Sequence, residues 1–462
     1  MTIDVLPEDV ILEIFDFYMH QARPYPFQGI EAWHTLVHVC RRWRNVVFGS
    51  PLRLNLQLLC TTKTPVRDAL DIWPALPIRI RDHSPESISV SDVDNIIAVL
   101  EHNDRICEIV LYDVPDLFLE AVSAALMRES FPALTELELV ANPDATAPAV
   151  PPEPFRDGST PHLRELTLDG IPIPELPKLL LSSTHLIDLT LSSIPRPGYV
   201  SSDAMVACLS TLTSLERLHL EFQSRFPPEQ GIQPPLTLAR SVLPSLTTFG
   251  FCGVSEYLED FIARIDAPRL HQLDMTFNRI MFDTPHALQF VHFIDRTPCL
   301  KTPDEALVFF DDITVGVTLL SPEAGELKVE IFAELDWQLS SIAETCSSFS
   351  PSFSTVKHLY IYHNHYPDPS WQGDDIEGQW LEILRPFTIV EKLYLSGQFA
   401  SRIAPALQVL VEERMTEVLP ILQSILLEGF QPSGPVQEGI GQFVAARRLS
   451  GQPITISSWV RM

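Results

Sequence analysis

The sequence predicts an α/β solenoid, with a parallel β-sheet lining one face and helices on the other, preceded by a small helical N-terminal domain. Three observations predict it. The pattern apolar-x-x-apolar-x-apolar recurs ten times beyond residue 104. Apolar stretches at helical spacing separate the copies. The first sixty residues carry helical periodicity.

Length and charge narrow the field. A chain of 462 residues exceeds one compact core, so it holds several domains or a short domain and a repeat array. Apolar residues at 45% and charged ones at 20% exclude a disordered chain. The net charge of −28 argues against nucleic acid or an anionic membrane as partner, because both select clustered Lys and Arg. The seven cysteines are scattered without a C-x-x-C, which excludes a zinc ribbon and a thioredoxin motif. They read as reduced thiols of a cytoplasmic or nuclear protein. The opening MTIDVLPEDV has neither the basic nor the apolar region of a signal peptide. No run approaches the ~18 apolar residues of a membrane span.

The N-terminal segment reads as helices. Pro7 suits a helix start, where its missing N–H costs nothing. Val10, Ile11, Ile14 and Phe15 follow at helical spacing. After Arg23-Pro24-Tyr25-Pro26 a second apolar helix carries Trp33, Leu36, Val37, Val39, Cys40, Trp43, Val46 and Val47, and stops at Gly49-Ser50-Pro51. Helices this short leave apolar surface for a partner.

These residues resemble an F-box. The likeness rests on Leu6-Pro7, on Ile14-Phe15, on Leu36-x-x-Val39-Cys40-Arg41-Arg42-Trp43-Arg44, and on Ser50-Pro51 with Leu52 and Leu54. The resemblance implies binding of a Skp-type adaptor, and through it a cullin. Leu6, Pro7, Ile14, Leu36, Val39, Cys40 and Trp43 would form or support that interface. Two departures stand out: an insertion from roughly Gln21 to Ile30, and Arg53 or Asn55 where the family often has an aromatic residue.

The repeats begin at Ile106, Leu134, Leu163, Leu186, Leu215, Leu246, Leu270, Val356, Val390 and Leu422. They are 23 to 31 residues apart, apart from a gap of 86 and two final spacings of 34 and 32. They resemble irregular leucine-rich repeats. Asn142, Asn278 and Asn364 stand where that family's ladder asparagine stands. Helices are predicted over Leu176 to Leu181, Ala204 to Leu212, Tyr257 to Ile265, Ala287 to Ile294 and Ile403 to Met415. No Gly-rich phosphate loop follows a strand, which argues against a doubly wound sheet. The expected organisation is an F-box over 1–60, a linker and first cap unit over 61–103, and the solenoid over 104–462. A Pro-rich loop at 142–161 and a divergent insert of extra strands at 300–335 interrupt the solenoid. Over nearly its whole length the chain is similar to F-box proteins abundant in mushroom-forming fungi. That likeness draws on Asp336-Trp337-Gln338-Leu339-Ser340-Ser341, His358-Leu359-Tyr360-Ile361-Tyr362 and Gln431-Pro432-Ser433-Gly434-Pro435-Val436-Gln437.

Strand side chains alternate, so residues between the apolar positions share one open face. It reads Glu136, Glu138, Glu165 and Asp169 early, then Arg217, His219, Glu221, Gln272 and Asp274, and finally His358, Lys392 and Ser424 with Tyr360, Tyr362, Tyr394 and Leu426. With strands ~4.8 Å apart, Tyr360, Tyr362, Tyr394 and Leu426 are expected to form one aromatic patch, the candidate target-binding site. Tyr combines contact area with a polar tip.

Catalytic signals are missing. No G-x-S-x-G, H-E-x-x-H or P-loop occurs, and no cofactor is expected. His358, His363, His365, Asp368, Asp374 and Asp375 are dense in ligand-type residues but match no metal spacing, and they read as a solvated loop. Arg447-Arg448-Leu449-Ser450 has the look of a basophilic kinase site. The resemblance implies a non-catalytic substrate receptor of a ubiquitin ligase. A repeat scaffold that has lost adaptor binding is the alternative.

Overall fold

The structure, a computed structural model, describes residues 6–21, 32–61, 66–82, 90–114, 116–142, 160–172, 176–223, 240–278, 287–322, 325–363, 375–409, 417–428 and 435–460. The chain divides into two compact units, Met1–Val200 with Thr211–Leu215, and Ser201–Ser210 with Glu216–Met462.

The first unit opens with helices α1 (Glu8–Gln21), α2 (Ala32–Val39) and α3 (Arg41–Gly49). Ile11, Leu12 and Phe15 of α1 share a buried core with Leu36, Val37, Val46 and Val47. The Cys-Arg-Arg-Trp-Arg run ties the helix ends. Cys40 caps α3, its Sγ accepting from the Trp43 N–H at 3.4 Å. Arg44 donates from Nε to the Val37 carbonyl at 3.0 Å, where a cation suits the C-terminal end of α2. Arg42 donates to the Leu6 carbonyl.

A parallel sheet follows in chain order. Its elements are β1 (Leu58–Cys60), α4 (Val66–Ile72), β2 (Ile78–Asp82), α5 (Val90–Leu100), β3 (Ile106–Val114), α6 (Asp116–Arg128), β4 (Glu136–Ala141), β5 (Glu165–Asp169), α7 (Leu176–Ser182) and β6 (Asp188–Ile194). The stretch 61–103, expected as linker and cap, thus carries the sheet strand β2 between two helices. The expected Pro-rich loop falls mainly at 143–159, outside the described residues.

The second unit comprises α8 (Ser202–Leu209), β7 (Arg217–Phe222), β8 (Ser241–Val242), β9 (Thr248–Gly253), α9 (Ser255–Ala263), β10 (Ile265–Asp266), β11 (Gln272–Asn278) and α10 (Ala287–Arg296). Next come β12 (Glu305–Phe310), β13 (Thr314–Leu320), β14 (Glu326–Phe332), α11 (Leu335–Ser348) and α12 (Ser350–Phe353). The last elements are β15 (His358–His363), α13 (Ile376–Leu384), β16 (Lys392–Leu395), α14 (Gly397–Val409), β17 (Ser424–Glu428), α15 (Pro435–Leu449) and β18 (Thr455–Trp459). β8 and β10 form a small sheet of their own.

Each of the ten recurring apolar motifs forms a strand, and the reason repeats. The leading apolar residue closes a turn before the strand: the Leu163, Leu186, Leu270 and Leu422 N–H groups donate to the carbonyls of Thr160, Ser183, Ala267 and Leu419, each three residues back. The next carbonyl then serves two N–H groups of the following repeat. Arg164 O accepts from Ile187 and Asp188, Thr247 O from His271 and Gln272, and Glu391 O from Gln423 and Ser424. The other two apolar residues point inward and align from strand to strand, as in Leu137, Leu166 and Leu189. Burying each contributes roughly 1.5–3 kcal/mol. Helices occur over the five predicted stretches as α7, α8, α9, α10 and α14, the last described to Val409.

The divergent insert corrects the expectation of a wholly parallel sheet. β13 runs antiparallel to both neighbours, and the order is β11-β14-β13-β12-β15, the reverse of the chain. Connection length explains it. A parallel crossover needs about a dozen residues, but only Asp311, Asp312 and Ile313 join β12 to β13. The hairpins must fold back, and the chain re-enters parallel pairing at β15.

Candidate functional site

Two surfaces, one in each unit, hold the residues singled out by sequence. In the first unit, Leu36 lies inside the three-helix core at 4% exposure, where it supports the helices. Trp43 is half-buried, its ring edge-on to Phe15 at 4.8 Å. Cys40 is taken up by the cap. Leu6 is half-buried, and exposed Pro7 accepts the Ile11 N–H at 3.1 Å as α1 begins. Ile14 and Val39 face solvent, at 46% and 56% exposure.

Sequence reasoning missed the companions of Ile14. Val10, Phe17 and Tyr18 are exposed with it. The four stand at i, i+4, i+7 and i+8, one stripe of α1 that borders the buried face of Ile11, Leu12 and Phe15. That spacing was available in the sequence, since α1 carries apolar residues on two faces. Arg53 pairs with Glu13 and lies 3.9 Å from Asp9, both on α1. Trp33 is fully buried, donates from Nε1 to the Gln57 carbonyl at 2.9 Å, and packs on Trp73 at 5.2 Å. The insertion near Gln21 lies mainly outside the described residues.

On the strand face of this unit, Glu108, Glu136, Glu165 and Asp188 stand side by side in register. Arg79, at 2.6 Å, and Arg81 both pair with Glu108. Burial, and then the neighbouring Glu108 charge, holds the Glu136 carboxyl above its usual range.

In the second unit, register sets Tyr360 beside Tyr394 and Tyr394 beside Leu426. The two Tyr rings stack with centroids 4.1 Å apart. Burial, and then the Glu305 charge, pushes the Tyr360 phenol up. Tyr362 stands two residues on, in register with Phe309 of β12. Trp459 completes the cluster, 6.0 Å from Tyr360 and 5.6 Å from Tyr394. Its strand, β18, lies beyond β17, so the indole leans across β17 to reach them. The motif search missed β18 because Ile454 and Ile456 lack the leading Leu-x-x-Leu. At the flank, His358 Nδ1 lies 3.4 Å from Glu305. Further along the same face Lys328 approaches the Phe309 ring at 5.6 Å.

The His-rich stretch builds no metal centre within view. His363 ends β15 and Asp375 caps α13, while His365, Asp368, Asp374 and Asn364 lie outside the described residues. Among the described residues no group of three or more His, Cys, Asp or Glu is arranged to hold a metal, and no helix is long and apolar enough to cross a membrane. The kinase-like motif is corrected: Arg447 is buried and donates to the Leu419 and Pro420 carbonyls at 3.0 and 2.9 Å. It holds α15 in place and presents no charge to a kinase.

No protein-family model matches the chain. No curated protein matches it. Among solved structures it is similar to the leucine-rich repeat-containing protein LegL7 from Legionella pneumophila, at 16% identity over 80% of this chain and 97% of that one, with a TM-score of 0.30. The repeat fold therefore rests on the chain's own strand order and register.

Proposed function

We propose that this chain is the substrate-recognition subunit of a Skp/cullin/F-box ubiquitin ligase. Residues 1–60 would hold the adaptor, and the strand face of the repeats would hold a target protein in the cytoplasm or nucleus. The observation that carries the reading is the apolar stripe Val10, Ile14, Phe17 and Tyr18, left in solvent on a helix whose other face is already packed. Such a stripe is favourable only when a partner covers it, at about 25 cal/mol per Å². It accompanies the Val-Cys-Arg-Arg-Trp pattern of the resemblance, and the rings of Tyr360, Tyr394 and Trp459 offer the target an aromatic anchor.

A second reading, a repeat scaffold without an adaptor, is favoured by Arg53. It is one of the two residues, with Asn55, that stand where the family often has an aromatic residue, and it is engaged with acids of α1. Affinity co-purification of the chain with its host's Skp-type adaptor and cullin separates the two. Recovery of both, lost in Ile14→Asp/Val39→Asp, supports the ligase reading. A folded wild type that recovers neither leaves the scaffold.

A further inference from the structure

The reversed insert leaves three large apolar side chains in solvent. They are Ile313 in the β12–β13 turn, Phe332 at the end of β14 and Trp337 in the first turn of α11, at 65%, 38% and 51% exposure. One buried side chain gathers them. Gln338, with no exposed surface, directs its amide N–H groups at the carbonyls of Asp311 (2.6 Å), Thr314 (3.4 Å) and Ala333 (3.4 Å). The Ala333 N–H donates in turn to the Ile313 carbonyl at 3.0 Å, and Thr314 is the register partner of Phe332. Each of the three apolar residues is thus a chain neighbour of a residue in this knot. The Asp336–Ser341 segment does two things: Gln338 fastens the hairpin from inside while Trp337 points outward.

The rim of the patch is acidic. Asp312, Glu334 and Asp336 are exposed, and the cation of β14, Lys328, is held by Glu330 at 3.1 Å. Glu334 and Asp336 also suit the positive end of α11; Asp312, in the turn, has no helix end to serve. An aromatic centre inside a polar rim is the form that interfaces take, and charge of one sign selects and steers a partner of the other.

We propose that this patch docks a basic protein segment. Its apolar side chains cover Ile313, Phe332 and Trp337, and its Lys or Arg residues meet Asp312, Glu334 and Asp336. A second copy of the chain is a poor occupant, because two molecules of charge −28 repel. The proposal is independent of the ligase reading.

A short fluorescein-labelled amphipathic peptide of Leu and Lys at helical spacing, and its Leu and Glu counterpart, titrated against the full chain by anisotropy, test it. The Leu/Lys peptide binds and the Leu/Glu peptide does not. Ile313→Ser/Trp337→Ser weakens binding at least about tenfold. Asp312→Asn/Glu334→Gln/Asp336→Asn, which leaves the apolar residues intact, weakens it less and removes most of its salt dependence. Equal binding by wild type and both variants would reflect general attraction to an acidic chain and overturn the proposal. So would no binding, a loss seen only in Tyr394→Ala/Trp459→Ala, or dimerisation of the wild type abolished by Ile313→Ser/Trp337→Ser.

Discussion

The rings of Tyr360 and Tyr394 lie face to face, their centroids 4.1 Å apart and their planes within 14° of parallel. β15 and β16 pair these two residues directly, and Trp459 meets both rings from β18. The cluster is half-buried, not sealed.

The stack should couple energetically. A double-mutant cycle on Tyr360→Ala and Tyr394→Ala is expected to give an interaction of about 0.5–1.5 kcal/mol in urea unfolding. Trp459→Ala should reduce it by freeing both rings. Additive single variants would mean that the rings are only neighbours.

Gln338 holds the reversed insert. Gln338→Ala removes a buried donor shared by the carbonyls of Asp311, Thr314 and Ala333, of which Thr314 keeps the Asp311 N–H. The expected loss is about 1–3 kcal/mol. Gln338→Glu should cost more, since a carboxylate would face those carbonyl oxygens. Denaturant unfolding of both variants measures it.

Gly316 fits because nothing larger does. A Cβ there would stand 2.5 Å from both Phe309 Cζ and the Val329 carbonyl oxygen. Gly316→Ala should destabilise by about 1–3 kcal/mol. Adding Phe309→Leu should recover only part of that, because the ring is removed and the backbone oxygen stays. Thermal unfolding of the single and double variants checks the order.

Glu259 on α9 gives the second unit a pH dependence. Burial pushes its carboxyl up from the ordinary 4.5 to about 8, and the Phe290 backbone N–H draws it partly back. One carboxylate oxygen is buried without a hydrogen-bond partner among the described residues. An acid with a raised folded pKa binds its proton more tightly when folded. The stability it contributes is therefore full below pH 4.5 and is lost as pH rises toward about 8. The melting temperature of wild type minus that of Glu259→Gln should fall across that window and level off above it. A difference independent of pH would contradict the assignment.

What the sequence made legible follows from its regularities. The Leu-x-x-Leu-x-Leu copies place two apolar residues inward and one at the turn, so their strands and parallel order could be read directly. Alternation in Val315 to Leu320 revealed a strand but not its direction; the short Asp311–Ile313 connection, which decides it, carries that information only as length. The stacked pair of Tyr360 and Tyr394 was readable because the motif sets their register. Trp459 was not, because its strand has no motif and its indole reaches the rings only across another strand. Leu36 and Ile14 looked alike as apolar helical residues, and only the packing of α1 on α2 and α3 separates the buried one from the exposed one.

The proposed ligase role requires the exposed apolar surface of the N-terminal helices to bind a Skp-type adaptor. Isothermal titration of the purified adaptor into the full chain tests it most directly, with Ile14→Asp/Val39→Asp as comparison. Both positions are exposed, so the variant should keep the wild-type melting temperature. Wild type should bind one to one, and the variant not at all. No binding by a folded wild type, or equal binding by the two, would contradict it.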